Sequence, residues 1–425
     1  MEGKVAIKRI LLRNILSFGD KTTPVELGPL NVLIGPNGSG KSNFLSALTI
    51  LKAAPTDLAE PFKVEGNILK WFWKGSSKRA PLSISVALGT HRPHIDFVYL
   101  IGLTEANYEP RVVFEQVRDE TEGGKGWPLE DVLGSEPTDR VSREGPSTAR
   151  RGKHGSRKAT VYYQLHRGNA FIMGGGEAGG GSRAIGNLDL GQSVLSQRID
   201  PDQYGALTYI GRDLFRCFRF YRMWTLGPRA GSRQPQPADQ VNSFLLEDAS
   251  NLGLVLSRMW KQGNLKRSLM ANIRHLYGGI RDLAVILQAG RVQVCLEESF
   301  HGLVPATRLS DGTLRWISLL AILLDPQPPP LVCIEEPELG LHPDLLPKLA
   351  DLLREASQRM QLVITTHSDV LVDALTDTPE SVIVCEKENG ATTMRRLDRK
   401  DLSKWLEKYS LGQLWRSGQV GGNRW

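Results

Sequence analysis

Cysteine is scarce in this chain. Four residues in 425, Cys217, Cys295, Cys333 and Cys385, lie far apart, at none of the paired spacings of a zinc site or a redox motif. Cys333 and Cys385 sit inside apolar β-like runs, where a free thiol acts as a small hydrophobe. Long hydrophobic runs are lacking too: the longest strongly apolar stretch, Ile317–Leu324, is far too short to cross a bilayer. The opening MEGKVAIKRI carries no apolar signal core. The 43 glycines have no period and 40% of residues are hydrophobic, which excludes collagen-like and wholly disordered chains. No internal repeat and no heptad run is visible, so a long coiled-coil arm is excluded. These absences predict a soluble, cytoplasmic protein with no membrane partner, built of two or three domains around a sizeable core. A net charge of +7 and a pI near 9.2 are compatible with a polyanionic partner without requiring one.

What is present is patterned. Leu30–Ile34 is a short apolar run that ends on Gly35-Pro36 and predicts a buried strand. Ser42–Leu51 predicts a helix with Phe44, Leu45, Leu48 and Leu51 on one face. Residues 82–118 predict β-hairpins, and TVYYQLHRGNAFIM predicts another with its turn near Gly168-Asn169. Between them, 119–158 is rich in Gly, Pro, Ser, Arg and Glu and predicts a long surface loop; Gly174–Ser182 predicts a flexible link. Residues 241–277 read as helical, and DLAVILQAGRVQVCLEE as strands. From Leu309 onward, helices at 313–324, 344–357 and 369–375 alternate with apolar strands at Leu331–Ile334, Leu362–Ile364 and Ser381–Cys385. Such near-continuous apolar strands predict a parallel sheet buried on both faces.

The chemistry is written at four places. Gly35-Pro36-Asn37-Gly38-Ser39-Gly40-Lys41-Ser42 fits G-x-x-x-x-G-K-[ST], between a strand and a helix as a phosphate loop requires. Its glycines let backbone N–H groups close around a β-phosphate at a helix N-terminus. Lys41 is placed to reach the β- and γ-phosphates of ATP, and Ser42 to ligate Mg²⁺. The strand LVCI ends in Glu335 and Glu336, the first suited to hold Mg²⁺ through water, the second to polarise the attacking water. Leu309-Ser310-Asp311-Gly312-Thr313 opens a helix and offers a second anion site, although a serine there is also an ordinary helix cap. Thr365-Thr366-His367-Ser368 follows a strand and sets a histidine where a terminal phosphate would lie.

The order of these elements, GPNGSGKS, LSDGT, IEEPELGLHP and TTHS, resembles the ABC-type ATPases of the RecF/SMC group, and more closely the stand-alone predicted ATPases related to the overcoming-lysogenization-defect family. These motifs spread from Gly35 to Ser368, and the resemblance covers the whole chain. It implies an α/β P-loop NTPase fold: an ABC-type head with an antiparallel β subdomain, a short helical insertion and no long coiled coil. It also implies a homodimer that sandwiches two ATP molecules. Ser310, Asp311 and Gly312 of one subunit would face the phosphates held by the other, with Glu338, Leu339, Gly340 and Leu341 along the seam as the D-loop. By the same resemblance Glu335 takes the Mg²⁺ side, Glu336 the general-base role and His367 the γ-phosphate switch. Asp311 stands where transporter-type signatures have glycine; pointed at the phosphate, its carboxylate would weaken the closed dimer. For the Q-loop glutamine, Gln116 and Gln164 are both candidates.

The domain reading is then 1–118 for an N-terminal ATPase lobe and 119–187 for basic and Gly-rich loops around a hairpin. Residues 188–300 form a mainly helical insertion, 301–400 a C-terminal ATPase lobe, and 401–425 a helix and tail. Two basic clusters are candidates for nucleic-acid contact. One is Arg150, Arg151, Lys153, Arg157 and Lys158 in a flexible loop, which otherwise only solvates the surface. The other interleaves Arg212, Arg216, Arg219 and Arg222 with Phe215, Phe218, Phe220, Tyr221 and Trp224, a mixture that serves bases and phosphates or else packs inside, with Arg216 and Arg219 the foremost candidates. The tail with Trp415 and Trp425 either wraps back or docks another protein. The resemblance implies a DNA-associated ATPase in genome maintenance or antiphage defence, beside a separately encoded effector protein. Only 57 residues follow Ser368, too few for an appended nuclease domain; Glu386 and Glu388 read as solvated acids of a hairpin. A nucleotide-gated scaffold is the alternative. A transporter motor fits poorly, because 269 positions separate Lys41 from Ser310.

Overall fold

In the computed structural model of the chain, the residues described are 4–64, 66–75, 80–89, 96–120, 160–166, 168–173, 182–225 and 227–422. The expected loop over 119–158, with Arg150, Arg151, Lys153, Arg157 and Lys158, falls almost wholly outside them, as does the Gly-rich link and Trp425.

Eighteen strands are described: β1 (Ile7–Arg13), β2 (Val25–Glu26), β3 (Leu30–Ile34), β4 (Leu82–Leu88), β5 (Asp96–Ala106), β6 (Glu109–Glu120), β7 (Val161–His166), β8 (Asn169–Met173), β9 (Ser182–Ile185), β10 (Arg219–Tyr221), β11 (Gln236–Pro237), β12 (Ile280–Gln288), β13 (Arg291–Glu298), β14 (Gly302–Pro305), β15 (Leu331–Glu335), β16 (Gln361–Thr365), β17 (Val382–Glu388) and β18 (Ala391–Arg396). Three sheets result. Strands β2-β1-β4-β5-β6-β7-β8-β9 form an antiparallel sheet, and β11, β12 and β14 gather around β13. The central sheet runs β10-β15-β16-β3-β17-β18, parallel except for the last hairpin.

The central strands alternate between two cores, as a two-residue side-chain period demands. Val32, Ile34, Val332, Ile334, Ile364 and Val384 pack with Ile317, Leu320, Leu349 and Leu353 of the helices Asp311–Leu323 and Leu346–Ala356. Leu33, Cys333, Val363, Ile383 and Cys385 point the other way, onto Phe44, Leu45 and Leu48 of the helix Lys41–Ala53 and onto the antiparallel sheet. Burial lifts the Cys333 and Cys385 thiols well above their ordinary range, consistent with inert packing groups. With both faces covered, chemistry is left to the strand ends. The C-terminal ends of parallel strands share one edge, so β10, β15, β16 and β3 deliver their following residues to one place.

The longest helices among the described residues have 13 residues, and none is long and apolar enough to cross a membrane. The interval 188–300 holds β10 to β13 as well as helices, and β12 and β13 fall where DLAVILQAGRVQVCLEE reads as strands. Helix within 241–277 is confined to Leu252–Trp260 and Gly263–Ile273. The reason lies at the buried Asn251, whose amide donates to the carbonyls of Val241 (2.7 Å) and Phe244 (2.8 Å) while its oxygen accepts from Leu246 N (2.9 Å). These side-chain bonds fold 241–251 into turns in place of a helical ladder. The tail wraps back. Helix Leu411–Arg416 buries Leu411 and Trp415, and Trp415 Nε1 donates to the Gly422 carbonyl at 3.0 Å. Glu386 and Glu388 lie in the β17–β18 hairpin, as read, although Glu386 accepts from Gly422 N (2.8 Å).

Candidate active site

The phosphate loop turns on three left-handed glycines, Gly35 (φ 147°), Gly38 (φ 78°) and Gly40 (φ 108°). Two of them are also forced by close approach: a Cβ on Gly35 would strike the Cys385 carbonyl, and one on Gly40 the Thr392 hydroxyl. Thr392 braces the loop by donating to the Ser39 carbonyl (2.8 Å), while Asn37 and Gly38 form the exposed tip beyond Pro36. Lys41 opens the following helix. Its buried ammonium donates to the carbonyls of Gly35 (2.8 Å) and Pro36 (3.1 Å), and burial lowers its pKa.

Ser42 Oγ donates to Glu335 Oε1, so the two expected metal-side residues meet directly. A hydroxyl and a carboxylate are the hard oxygen donors that Mg²⁺ takes beside nucleotide phosphates, and the pair fits that ion. On its other oxygen Glu335 carries Arg222 Nε at 3.3 Å. Glu336 sits just past β15 with φ 47°, an uncommon backbone for a glutamate. Its N–H donates to the Thr365 carbonyl at 3.0 Å, its own carbonyl accepts from Arg315 Nη2, and its carboxylate lies 3.6 Å from His367 Nε2. Burial, followed by the field of Lys41, holds His367 below the usual histidine range, so the ring is neutral at pH 7. Glu338 Oε1 accepts from Thr366 Oγ1 (2.7 Å) and His367 N (2.9 Å). Lys41, Ser42, Glu335, Glu336 and His367, spread over more than three hundred positions, thus converge on one edge.

The signature segment lies at the start of the helix Asp311–Leu323. Ser310 is exposed and caps that helix, its Oγ accepting from Thr313 N at 3.0 Å. The Asp311 carboxylate has partners on its own chain: it accepts from Gly227 N (3.0 and 3.1 Å) and pairs with Arg233 Nη2 (2.5 Å). Arg233, through that hydrogen bond, holds the Asp311 carboxyl below its ordinary range. Gly312 has no room for a side chain, because the Gly340 carbonyl fills the Cβ position. Glu338 likewise bonds within its own chain, to the histidine loop, while Leu339 stays exposed and Leu341 packs against the core.

The aromatic residues of the 215–221 cluster are core: Phe215, Phe218, Phe220 and Tyr221 are all buried. Arg219 is turned inward as well, its guanidinium 3.8 Å from the Phe244 ring centroid and bonded to the carbonyls of Arg216 and Phe218. Arg216 is exposed. Gln116 and Gln164 face each other across β6 and β7; the strand beside β15 at the site edge is β10, which delivers Arg222 instead. Sequence reasoning misses Arg233 and Arg315, and reads Arg222 only as part of the basic and aromatic cluster, not as a partner of Glu335. The available signal is a short β-like triplet, Arg219–Tyr221, followed by the basic Arg222 ahead of Gly227-Pro228.

A parallel sheet with the phosphate loop after β3, an acid pair after β15 and a histidine after β16, joined to an antiparallel sheet, defines a P-loop domain with the ABC/SMC head fold. The chain belongs to the family described as "AAA domain, putative AbiEii toxin, Type IV TA system", which matches residues 30–173 and 228–373. Its fold is similar to the Smc head bound to the C-winged helix domain of ScpA, with a TM-score of 0.52 and 12% identity, covering 93% of this chain and 99% of that one. It is also similar to the Smc head domain with an extended coiled coil bound to the C-terminal domain of ScpA, derived from Pyrococcus furiosus, with a TM-score of 0.50 and 12% identity over 95% of this chain and 99% of that one. Over 87 residues it is 34% identical to the chromosome partition protein Smc of Synechocystis sp., a match that spans 20% of this chain and 7% of that protein.

Proposed function

We propose that this protein is a Mg²⁺-dependent ATPase whose heads close as a homodimer around two ATP molecules and signal to a separately encoded effector, in DNA maintenance or antiphage defence. The observation that carries the reading is the convergence of Lys41, Ser42, Glu335, Glu336 and His367. In this reading the loop N–H groups and Lys41 hold the phosphates. Ser42 and Glu335 would hold the Mg²⁺ that neutralises charge on the phosphates. Glu336 accepts the proton of the attacking water, and neutral His367 beside it senses the γ-phosphate. A cavity of about 760 Å³ beside the loop, with Phe18, Phe44 and Val25 among its apolar walls and Lys21, Thr22 and Asn389 among its polar ones, is of a size to take the nucleoside. Across the seam, exposed Ser310 and the main chain of Gly312 are offered to the partner's phosphates, with Leu339 and Gly340 alongside.

The role near DNA is supported by the likeness to a chromosome partition protein and by exposed Arg216; Arg219 is withdrawn from it. An effector is supported by solved heads bound to ScpA domains and by the toxin named in the family description. The narrower relation to overcoming-lysogenization-type ATPases belongs to the same proposal. The test is ATP turnover by the purified protein with and without DNA, with Lys41→Ala as the blank. Turnover lost in Lys41→Ala and stimulated by DNA is the expected result. Turnover that depends on Lys41 but ignores DNA assigns a partner-gated switch, and turnover retained in Lys41→Ala overturns the site.

A further inference from the structure

We propose that Arg222 occupies the cation position of the site in the nucleotide-free protein, and that the divalent ion arriving with ATP must displace it. The inference rests on the ATPase reading above and adds a residue to it. Its basis is register. Strand β10 runs parallel to β15 with Tyr221 opposite Ile334, so the next residue on each strand, Arg222 and Glu335, emerge side by side at the catalytic edge. Arg222 Nε lies 3.3 Å from Glu335 Oε2, while Ser42 Oγ takes Oε1. The carboxylate that the metal needs is therefore held from both sides, by the hydroxyl that shares the metal and by a guanidinium. Both members of the ion pair are mostly shielded, with side-chain exposures of 21% and 18%. Two like charges cannot share such a place cheaply, because shielding strengthens their repulsion as it strengthens attraction. The guanidinium and a divalent ion exclude each other at Glu335.

Displacement has somewhere to be felt. Two residues beyond Arg222, Trp224 stacks on Tyr221 with ring centroids 6.0 Å apart. The Arg315 guanidinium also lies over Trp224, 4.6 Å from the ring centroid. Arg315 belongs to the Asp311–Leu323 helix and donates to the carbonyl of Glu336. A shift at Arg222 thus reaches the backbone of the proposed base and the helix that carries Ser310. Arg222 is a positioning residue in this account; it gates the metal and does not touch the reacting atoms.

The experiment uses the full chain in a Glu336→Gln background, which keeps bound ATP intact. Binding of a fluorescent ATP analogue is followed as Mg²⁺ is titrated. Arg222→Gln is expected to reach half-saturation at roughly tenfold lower Mg²⁺, the change that removing one competing charge at this distance makes. Arg222→Lys keeps a cation and is expected to stay near the parent requirement. A nucleotide-free arm, Mn²⁺ titration followed by electron paramagnetic resonance, is expected to show the same order of affinities. An unchanged or higher metal requirement in Arg222→Gln, with an unchanged melting temperature, overturns the proposal. So does a Lys variant that behaves like Gln. If the parent fails to bind the nucleotide at all, the ATPase reading falls, and the Mn²⁺ arm still decides the competition at Glu335.

Discussion

Arg233 gathers five acceptors with one side chain: the carbonyls of Gly227 (3.0 Å), Ala306 (3.2 Å), Thr307 (3.4 Å) and Leu309, and the carboxylate of Asp311. It is almost wholly buried, so its charge depends on that set of partners. Asp311 therefore acts as a strut that ties Gly227 and Arg233 to the start of the helix Asp311–Leu323. Asp311→Ala leaves a buried guanidinium short of its only charged acceptor in that set. Because the carboxylate itself is part-exposed, the expected cost is about 1–2 kcal/mol. Thermal melting checks this, with Asp311→Asn, which keeps one acceptor oxygen, expected to fall between the two.

At the scale of elements, the antiparallel sheet carries a buried acid that the nucleotide reading does not use. Glu115 on β6 accepts from Tyr99 OH on β5 (2.7 Å), from Ser193 Oγ (2.5 Å) and from Val194 N (2.9 Å), joining the sheet to the short helix Val194–Gln197. Burial raises the Glu115 pKa above its usual value, against the opposing effect of these donors. An acid whose folded pKa is raised contributes stability that is complete below the unfolded pKa and is lost as pH rises through the folded one. The melting temperature should therefore carry a downward component as pH rises from the usual carboxylate range through the raised value. Glu115→Gln, which has no proton to lose, is expected to flatten that component; melting curves across the window decide, and an unaltered slope in the variant contradicts the assignment. Elements also show what periodicity reads well. The apolar strands at 331–335 and 361–365 were legible because burial on both faces leaves no polar interruption. The helix assigned to 241–251 was not, because a single asparagine side chain there outcompetes the helical ladder.

At the scale of the whole molecule, the segments proposed as signature and D-loop meet within one chain, where the Gly340 carbonyl rests on Gly312. A surface built this way offers Ser310 outward as a unit, which is what closure onto a second copy requires. With ATP, Glu336→Gln is expected to accumulate as a dimer by light scattering; an ATP-loaded monomer would sink the sandwich. Ser310→Arg is expected to abolish turnover with nucleotide binding intact, since among the described residues its hydroxyl hydrogen-bonds only to Thr313 of the helix it caps. Retained turnover would reduce Ser310 to the helix cap seen at Thr313.

The sequence by itself determined the class of the protein, because a phosphate loop, an acid pair and a histidine are each short, local patterns whose spacing the backbone enforces. Gly35 and Gly40 announce left-handed turns, and LVCI followed by two acids announces a buried strand running out to solvent. Tertiary structure alone decided which charges face the site. Asp311 met Arg233, 78 positions earlier, only because the chain folded the two together, and Arg222 reached Glu335 only because β10 lies beside β15 in the sheet. Parallel pairing joins strands that are remote in the chain, and the partners of a charge are set by that pairing rather than by its neighbours in sequence.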